Sequence, residues 1–157
     1  MKLRLIIVMG TCAIGLSCAC SMPRGWRPKP PSERIPQAPV VVYEKLQSIR
    51  QESKYGMQMN TYTFQVRCVL RSTGSTTPGR RLVVSEYSPP VCVYHGYGLR
   101  KGRKYVITLS SRDNTDFYLH DSNAQGAIFS SSEARAADVV RWLGYPSPAH
   151  AGSRRVC

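Results

Sequence analysis

Two cysteines separated by a single residue, Cys18-Ala19-Cys20, stand directly behind a hydrophobic stretch of the sequence. If the chain is cut before Cys18, the mature protein begins with a cysteine whose α-amino group is free. Such a terminal residue presents its backbone amine and its carbonyl oxygen together, and these two atoms can chelate a metal ion. The chemistry open to Cys18 is therefore chelation of a metal ion that is held in another protein.

The hydrophobic stretch predicts a secretory signal peptide over residues 1–17. Two basic residues, Lys2 and Arg4, precede residues 5–16, which are apolar or small apart from Thr11. A run of this length is too short to span a bilayer. We therefore expect a secreted, extracellular protein without a membrane span.

The cleavage position is open between three sites that have small residues at the required offsets. A cut after Ser17 releases Cys18 as the first residue, a cut after Ala19 releases Cys20, and a cut after Gly15 is the third option. Only the first of these cuts gives Cys18 a free amine.

The chain is strongly basic, with 22 lysines and arginines against 9 aspartates and glutamates, and a formal charge of +13. Loss of Lys2 and Arg4 with the leader would lower this charge to +11. A basic surface attracts acidic partners such as a sulfated polysaccharide or an acidic protein face, although it can also be merely a soluble surface. Because the leader directs the chain out of the cell, we expect no nucleic-acid partner.

The cysteine count constrains disulfide pairing. A cut after Ser17 leaves five cysteines, namely Cys18, Cys20, Cys68, Cys92 and Cys157. Export favours disulfides, and an odd number means that at least one thiol stays free or pairs between chains. No Cys-x-x-Cys pair and no Cys/His cluster with zinc-finger spacing occurs, so we expect no cofactor of the chain's own.

Proline content and apolar alternation divide the rest of the chain. Residues 18–39 are rich in proline and predict an extended N-terminal segment without a helix. The clearest strand covers residues 61–70, and its apolar residues are predicted to share one face: Tyr62, Phe64, Val66, Cys68 and Leu70. Further strands are predicted at residues 40–49, 81–87, 91–94, 104–109 and 116–120.

One helix is predicted at about residues 130–143. Ser130 and Glu133 fit a capping box, and Gly144 supplies the C-terminal stop. Apolar residues follow the box with helical spacing at Ala136, Val139, Val140 and Leu143. The elements together predict a mainly β fold, an OB-like five-stranded Greek-key barrel with one C-terminal helix. This domain would cover residues 18–145, and residues 146–157 would form a tail.

Three blocks of the sequence resemble one family. Cys18-Ala19-Cys20-Ser21-Met22-Pro23 resembles the Cys-x-Cys-Ser start of mature tissue inhibitors of metalloproteinases, which also follows a signal peptide. Pro90-Val91-Cys92-Val93 resembles the Ala-Val-Cys-Gly segment of that family, and the stretch at 99–107 resembles a strand that it shares with netrin modules. The resemblance covers most of residues 18–145 and concerns only the N-terminal domain of the family.

The resemblance implies an inhibitor of matrix metalloproteinase-type zinc endopeptidases. Cys18 would bind the catalytic zinc of the target through its α-amino nitrogen and carbonyl oxygen, at the position that such zinc sites keep open. A disulfide between Cys18 and Cys92 would hold this terminus. Residues on both sides of the zinc ligand would contact the protease: Ala19, Cys20, Ser21 and Met22 on one side, and Ser88, Pro89, Pro90 and Val91 on the other.

The sequence departs from the family at two of the positions that carry this implication. Ala19 replaces the Ser or Thr that usually enters the specificity pocket. His120 stands where the family has the cysteine that pairs with its second cysteine, so Cys20 must be free or pair with Cys68 or Cys157.

A basic run provides the second candidate site. Arg100, Lys101, Arg103 and Lys104 resemble a heparin-binding pattern, which adds heparan sulfate as a partner. The alternative interpretation is a solvated hairpin turn. The corresponding alternative function is a netrin-like extracellular module that binds glycosaminoglycan or a growth factor without inhibiting a protease.

An enzyme is not expected. His95, His120 and His150 are scattered, and the sequence contains neither Gly-x-Ser-x-Gly nor His-Glu-x-x-His. We therefore assign no catalytic residue.

Overall fold

The computed structural model describes residues 24–54, 57–73, 77–88, 98–113, 116–122 and 125–145. Six strands make up most of this part of the chain: β1 (Val40–Lys54), β2 (Met57–Ser72), β3 (Arg81–Ser88), β4 (Lys104–Ser111), β5 (Phe117–Leu119) and β6 (Ile128–Ser130). The helices are α1 (Pro31–Arg34) and α2 (Ala136–Trp142), and a 3₁₀ turn over Ile35–Gln37 continues from α1. In the described ranges, no helix is long and apolar enough to cross a membrane.

The strands form one antiparallel sheet in the order β3-β2-β1-β4-β5, and β6 pairs with β4. The sheet curls until β3 contacts β5, which brings the two ends of the five-strand order together. This is the OB-like Greek-key arrangement, and the prediction of a mainly β fold with a C-terminal helix is confirmed. Strand β6 is not among the predicted strands, and the predicted strand at 91–94 lies outside the described residues.

Alternating side chains on the strands build two cores on opposite faces of the sheet. The barrel core fills the inside of the curled sheet and consists of Val40, Val42, Leu46, Tyr62, Phe64, Val66, Leu82, Val84, Tyr105, Ile107 and Leu109. The helix-side core lies on the outer face, where the N-terminal segment and α2 cover it. It consists of Ile35, Ala38, Val41, Cys68, Leu70, Val106, Phe129, Ala134, Val139 and Val140.

A bulge in β2 changes the face to which its last residues point. Tyr43 of β1 is opposite Cys68, and the next residue, Glu44, is opposite Val66, so Arg67 is an extra residue in β2. One extra residue moves every following side chain to the other face. The prediction that Cys68 and Leu70 share the face of Val66 is therefore wrong, because both lie in the helix-side core.

The proline-rich segment is not extended throughout. Pro31 occupies the first turn of α1, where a missing N–H costs no hydrogen bond, and Pro30 is the preceding cap residue. Ile35 follows in the 3₁₀ turn and is fully buried in the helix-side core. The prediction of no helix in residues 18–39 is therefore wrong for residues 31–37.

Helix α2 begins later than the capping pattern predicts. Ser130 and Glu133 do interact, since the Ser130 amide donates to Glu133 Oε2 at 2.8 Å, but they close a separate turn. Arg135 has an extended backbone (φ −74°, ψ 140°), so the helix starts only at Ala136. The contact that fits a capping box therefore stabilises the approach to the helix rather than its first turn.

The end of α2 agrees with the prediction. Gly144 has a φ of 82°, and its N–H donates to the Arg141 carbonyl at 3.0 Å. The Tyr145 N–H donates to the Val140 carbonyl at 3.2 Å, which completes a Schellman motif. Tyr145 also packs against the helix-side core.

Candidate functional site

The predicted protease-binding ridge falls almost entirely outside the described residues. This applies to its N-terminal part, Cys18–Met22, and to Pro89, Pro90, Val91 and Cys92. The one described position is Ser88, the last residue of β3, which pairs with Gln58 of β2. The sheet therefore fixes the backbone directly before the predicted proline loop.

The four residues of the basic run form a tight turn that leads into β4. Gly102 has a φ of 84°, a value that favours glycine, and its N–H donates to the Leu46 carbonyl at 2.8 Å. The Leu46 N–H donates in turn to the Arg103 carbonyl at 3.0 Å. The backbone N–H of Arg100 donates to the Tyr105 hydroxyl at 2.9 Å. This basic turn (Arg100, Lys101, Arg103 and Lys104) is exposed and is held against β1 by its backbone.

Pairing across the sheet extends the basic surface beyond this turn. Lys104 of β4 is opposite Lys45 of β1, which is opposite Gln65 of β2. Gln65 is in turn opposite Arg81 of β3. Neighbouring strands lie about 5 Å apart, so these four residues form a cross-strand row about 15 Å long. The register between four strands produces this row, and the linear sequence does not reveal it.

The cross-strand row lies on the outer face of the sheet. Its members alternate with barrel-core residues along each strand, and all are exposed except Lys45, which is half-buried. Lys104 Nζ stands 5.9 Å from the centroid of the Tyr43 ring, which is a favourable cation–π position. Next to Arg81, a shallow open groove is lined by Gln47, Thr63, Phe64, Gln65, Arg80 and Arg81.

No carboxylate offsets the charge of this surface. All nine acidic residues lie in the described ranges, and two of them, Glu44 and Glu86, are buried. Salt bridges join Arg50 to Glu52 and Arg141 to Asp138. None of them involves the basic turn or the cross-strand row, so these cations are available to an external anion.

Glu44 is the one fully buried carboxyl of the described chain. Its position on β1 alternates with Val42 and Leu46, and both of its side-chain oxygens lack a hydrogen-bond partner. Burial away from water raises the pKa of this carboxyl well above its usual value. Glu44 is not among the predicted site residues, although its spacing of two from Val42 and Leu46 is a usable signal.

Hydrogen bonds connect His120 to β4. Its Nδ1 lies 2.7 Å from the Ser110 hydroxyl, and its backbone N–H donates to the Thr108 carbonyl at 2.9 Å. Burial lowers the pKa of His120, and the charge of Asp121 partly opposes this shift. These contacts hold β4 next to the end of β5.

Cys68 is the only cysteine among the described residues. It is fully buried in the helix-side core, and it is disulfide-bonded. The described residues contain no group of three or more His, Cys, Asp or Glu side chains that could hold a metal ion. Comparison of the chain with protein-family models and with curated proteins found no match.

Proposed function

We propose that this protein is a secreted inhibitor of zinc metalloendopeptidases, and that Cys18 chelates the catalytic zinc of the target. The observation that carries the proposal is the position of Ser88. An OB-like barrel ends its third strand at this residue, directly before Pro89-Pro90-Val91-Cys92. The chain therefore enters the segment that the resemblance assigns to the protease cleft from the end of a strand in an OB-like barrel, and this is the fold that the resemblance implies.

The chemistry of the proposal needs a free α-amine at Cys18. An unprotonated amine donates its lone pair to zinc, and an α-amine with a pKa of about 7.7–8.0 is partly unprotonated at neutral pH. The carbonyl oxygen of Cys18 supplies the second ligand and the pair displaces the zinc-bound water. A Cys18–Cys92 disulfide would order both contact segments before binding and so reduce the entropy lost in the complex.

The remaining contacts of the ridge would set specificity. Ala19 would point into the specificity pocket of the protease, with only a methyl group to fill it. Cys20, Ser21 and Met22 would lie along one side of the cleft, and Ser88 to Val91 along the other.

The test is to extend the N-terminus by one residue. An alanine added before Cys18 makes its nitrogen part of a peptide bond, which cannot donate a lone pair to zinc, so inhibition of a matrix metalloproteinase should be lost. The matched control carries one alanine after Cys157 and should inhibit like the wild type. Equal inhibition by both variants would refute chelation by Cys18, as would a mature chain whose measured mass places its first residue at Cys20.

We propose a second function, the binding of sulfated glycosaminoglycan, because of the cross-strand row. A run of basic residues in one turn is commonly a solvated loop. Here the row adds Lys45 and Arg81 to the basic turn, and the described residues provide no carboxylate to neutralise them. Such a surface attracts a polyanion along a line of positive charge.

A further inference from the structure

Within the part of the chain that the structure describes, strand β1 has an open edge over its second half. It pairs with β4 only from Val40 to Lys45, and Leu46 then bonds to the basic turn. From residue 48 to residue 54 its only partner among the described strands is β2. The side chains from Ser48 to Ser53 are all exposed, and Ile49 has 43% of its surface accessible to solvent. An open edge of this kind is a template for another strand.

The backbone groups that face this edge can be assigned. Leu46 directs both its N–H and its C=O toward the β4 side, where they bond to Arg103 and Gly102. The register shift between Leu46 and Ser48 makes Gln47 an extra residue, after which Ser48 is opposite Thr63 of β2. The alternation then restarts, so the N–H and C=O groups of Ile49, Gln51 and Ser53 point toward the open edge.

The charges of this edge are arranged symmetrically about Gln51. Arg50 and Glu52 lie on either side of Gln51 in the strand, and their side chains share one face of the sheet. Arg50 Nη1 lies 3.3 Å from Glu52 Oε1. Both side chains are exposed, Arg50 at 76% and Glu52 at 46%. The edge thus presents one cation and one anion at equal distances from a central residue.

We propose that two copies of this chain pair antiparallel along this edge, around a two-fold axis at Gln51. In this register Gln51 is opposite Gln51 of the second copy and Ile49 is opposite its Ser53. The N–H and C=O groups that point toward the open edge in each copy then form hydrogen bonds with those of the other copy. Arg50 of each copy is opposite Glu52 of the other, which gives two reciprocal ion pairs, as an isologous interface requires.

Charge selects this register over its neighbours. An axis moved to position 50 or 52 still satisfies the backbone hydrogen bonds. It places Arg50 opposite Arg50 in the first case and Glu52 opposite Glu52 in the second, and like charges directly opposite each other are destabilising. Charged residues often protect a strand edge from pairing, because an edge with charges of one sign repels a second copy of itself. This edge carries both signs, so Arg50 of one copy attracts Glu52 of the other.

The dimer should be weak and concentration-dependent. Only about seven residues of each chain meet, which is below the area of a standard stable interface. The pairing joins the three-stranded part of each sheet (β1, β2 and β3) into six continuous strands. Since the ion pairs are exposed, added salt should weaken the dimer further.

Charge exchange in the full secreted chain tests the ion pairs. Sedimentation equilibrium over a concentration series should show wild-type dimers that dissociate on dilution. R50E places glutamate opposite glutamate and E52R places arginine opposite arginine, so each should raise the dissociation constant about ten-fold or more. The double variant R50E/E52R restores opposite charges at both positions and should dimerise like the wild type. R112E changes an exposed arginine away from this edge and serves as the control.

A wild type that stays monomeric throughout the series would overturn the proposal. Dimers that persist unchanged in R50E and E52R would also overturn it, because they would place the interface elsewhere.

Cross-linking tests the position of the axis. Opposite residues of a hydrogen-bonded antiparallel pair have Cα atoms about 5.5 Å apart, which suits a disulfide. After mild oxidation of Q51C, peptide mapping should therefore find residue 51 of one copy disulfide-linked to residue 51 of the other, a link that the native cysteines cannot produce. R50C should give no such link, because the two copies of residue 50 are offset by two positions. Efficient cross-linking of R50C with none of Q51C would contradict an axis at Gln51.

Discussion

Glu44 and Lys45 are consecutive residues of β1 whose side chains lie on opposite faces of the sheet. Glu44 is fully buried beside the barrel core, whereas Lys45 stands on the outer face in the cross-strand row. The buried carboxyl of Glu44, which has no hydrogen-bond partner, is therefore adjacent in sequence to a lysine of the basic surface. Because the two side chains lie on opposite faces, Lys45 forms no ion pair with this carboxyl.

Replacing Glu44 should change the pH dependence of stability. The folded-state pKa of Glu44 lies above its unfolded value, so its contribution to stability is complete below pH 4.5 and is lost as the pH rises toward the folded pKa. E44Q cannot ionise, so its advantage over the wild type should grow with pH in this interval. Denaturant unfolding at several pH values measures the difference, and a constant difference would contradict a raised pKa.

An apolar residue at this position should be more stabilising at neutral pH. E44L removes the two oxygens that lack hydrogen-bond partners and keeps a similar volume, so we expect a gain of about 1–3 kcal/mol in the free energy of unfolding. The matched control is E33L, which removes an exposed carboxylate of α1 and should change stability little. A destabilised E44L would show that the carboxyl has a favourable role in the barrel.

Neutralising the cross-strand row should weaken binding to heparin. Alanine at Lys45, Arg81 and Lys104 removes three charges from one line, so the salt concentration that elutes the protein from a heparin column should fall. Each lost anion contact reduces the dependence of binding on salt. Alanine at Arg100, Lys101 and Arg103 tests the basic turn separately.

The control for both sets removes the same charge from scattered exposed positions, Arg24, Arg112 and Arg135. If binding depends only on net charge, all three triple variants should elute at the same salt concentration. That result would identify the basic turn as a solvated loop and would reject the row as a binding surface.

Strand positions could be predicted because alternation and turn residues are local signals. The face of the sheet on which Cys68 and Leu70 lie could not be predicted, because it depends on the bulge at Arg67. This bulge arises from the pairing of β2 with β1. The start of α2 was misplaced because Ser130 and Glu133 make the contact of a capping box in a turn that precedes the helix.

For the candidate surfaces too, only features that are local in the sequence could be predicted. The basic turn is contiguous in sequence and was predicted, whereas Lys45, Gln65 and Arg81 become neighbours only through strand register. Glu44 had a local signal, its alternation with Val42 and Leu46, but a charged residue is seldom read as buried.

Gly144 should be sensitive to any side chain. Its φ of 82° costs an L-residue about 1–2 kcal/mol, and a Cβ added there meets no atom within 4 Å, so the backbone alone determines the loss. G144A should therefore lower the free energy of unfolding by about that amount. Gly79 also has open space for a Cβ but lacks a positive φ, so G79A should be nearly neutral. Equal stability of the two variants would contradict the helix termination described above.

Arg34 should hold the N-terminal segment on the barrel. Its guanidinium lies 4.8 Å from the centroid of the Phe129 ring and its Nη2 donates to the Gly126 carbonyl. Burial lowers the pKa of Arg34, while the charges of Asp121 and Glu133 favour its charged form. Replacement by alanine removes both contacts together with the buried side-chain stem, so R34A should lower the free energy of unfolding by about 2–4 kcal/mol.

The same substitution links this anchor to the proposed inhibition. Residues 31–38 are the part of the N-terminal segment that lies directly before β1. If this part were released, we expect Cys18 to be presented with less order and to bind more weakly. Hydrogen exchange of amides in residues 31–38 should therefore accelerate in R34A, and the inhibition constant should rise. The control is R24A, which changes an exposed arginine that precedes residues 31–38 and should leave both quantities unchanged. Faster exchange with unaltered inhibition would show that the terminus is ordered independently of Arg34.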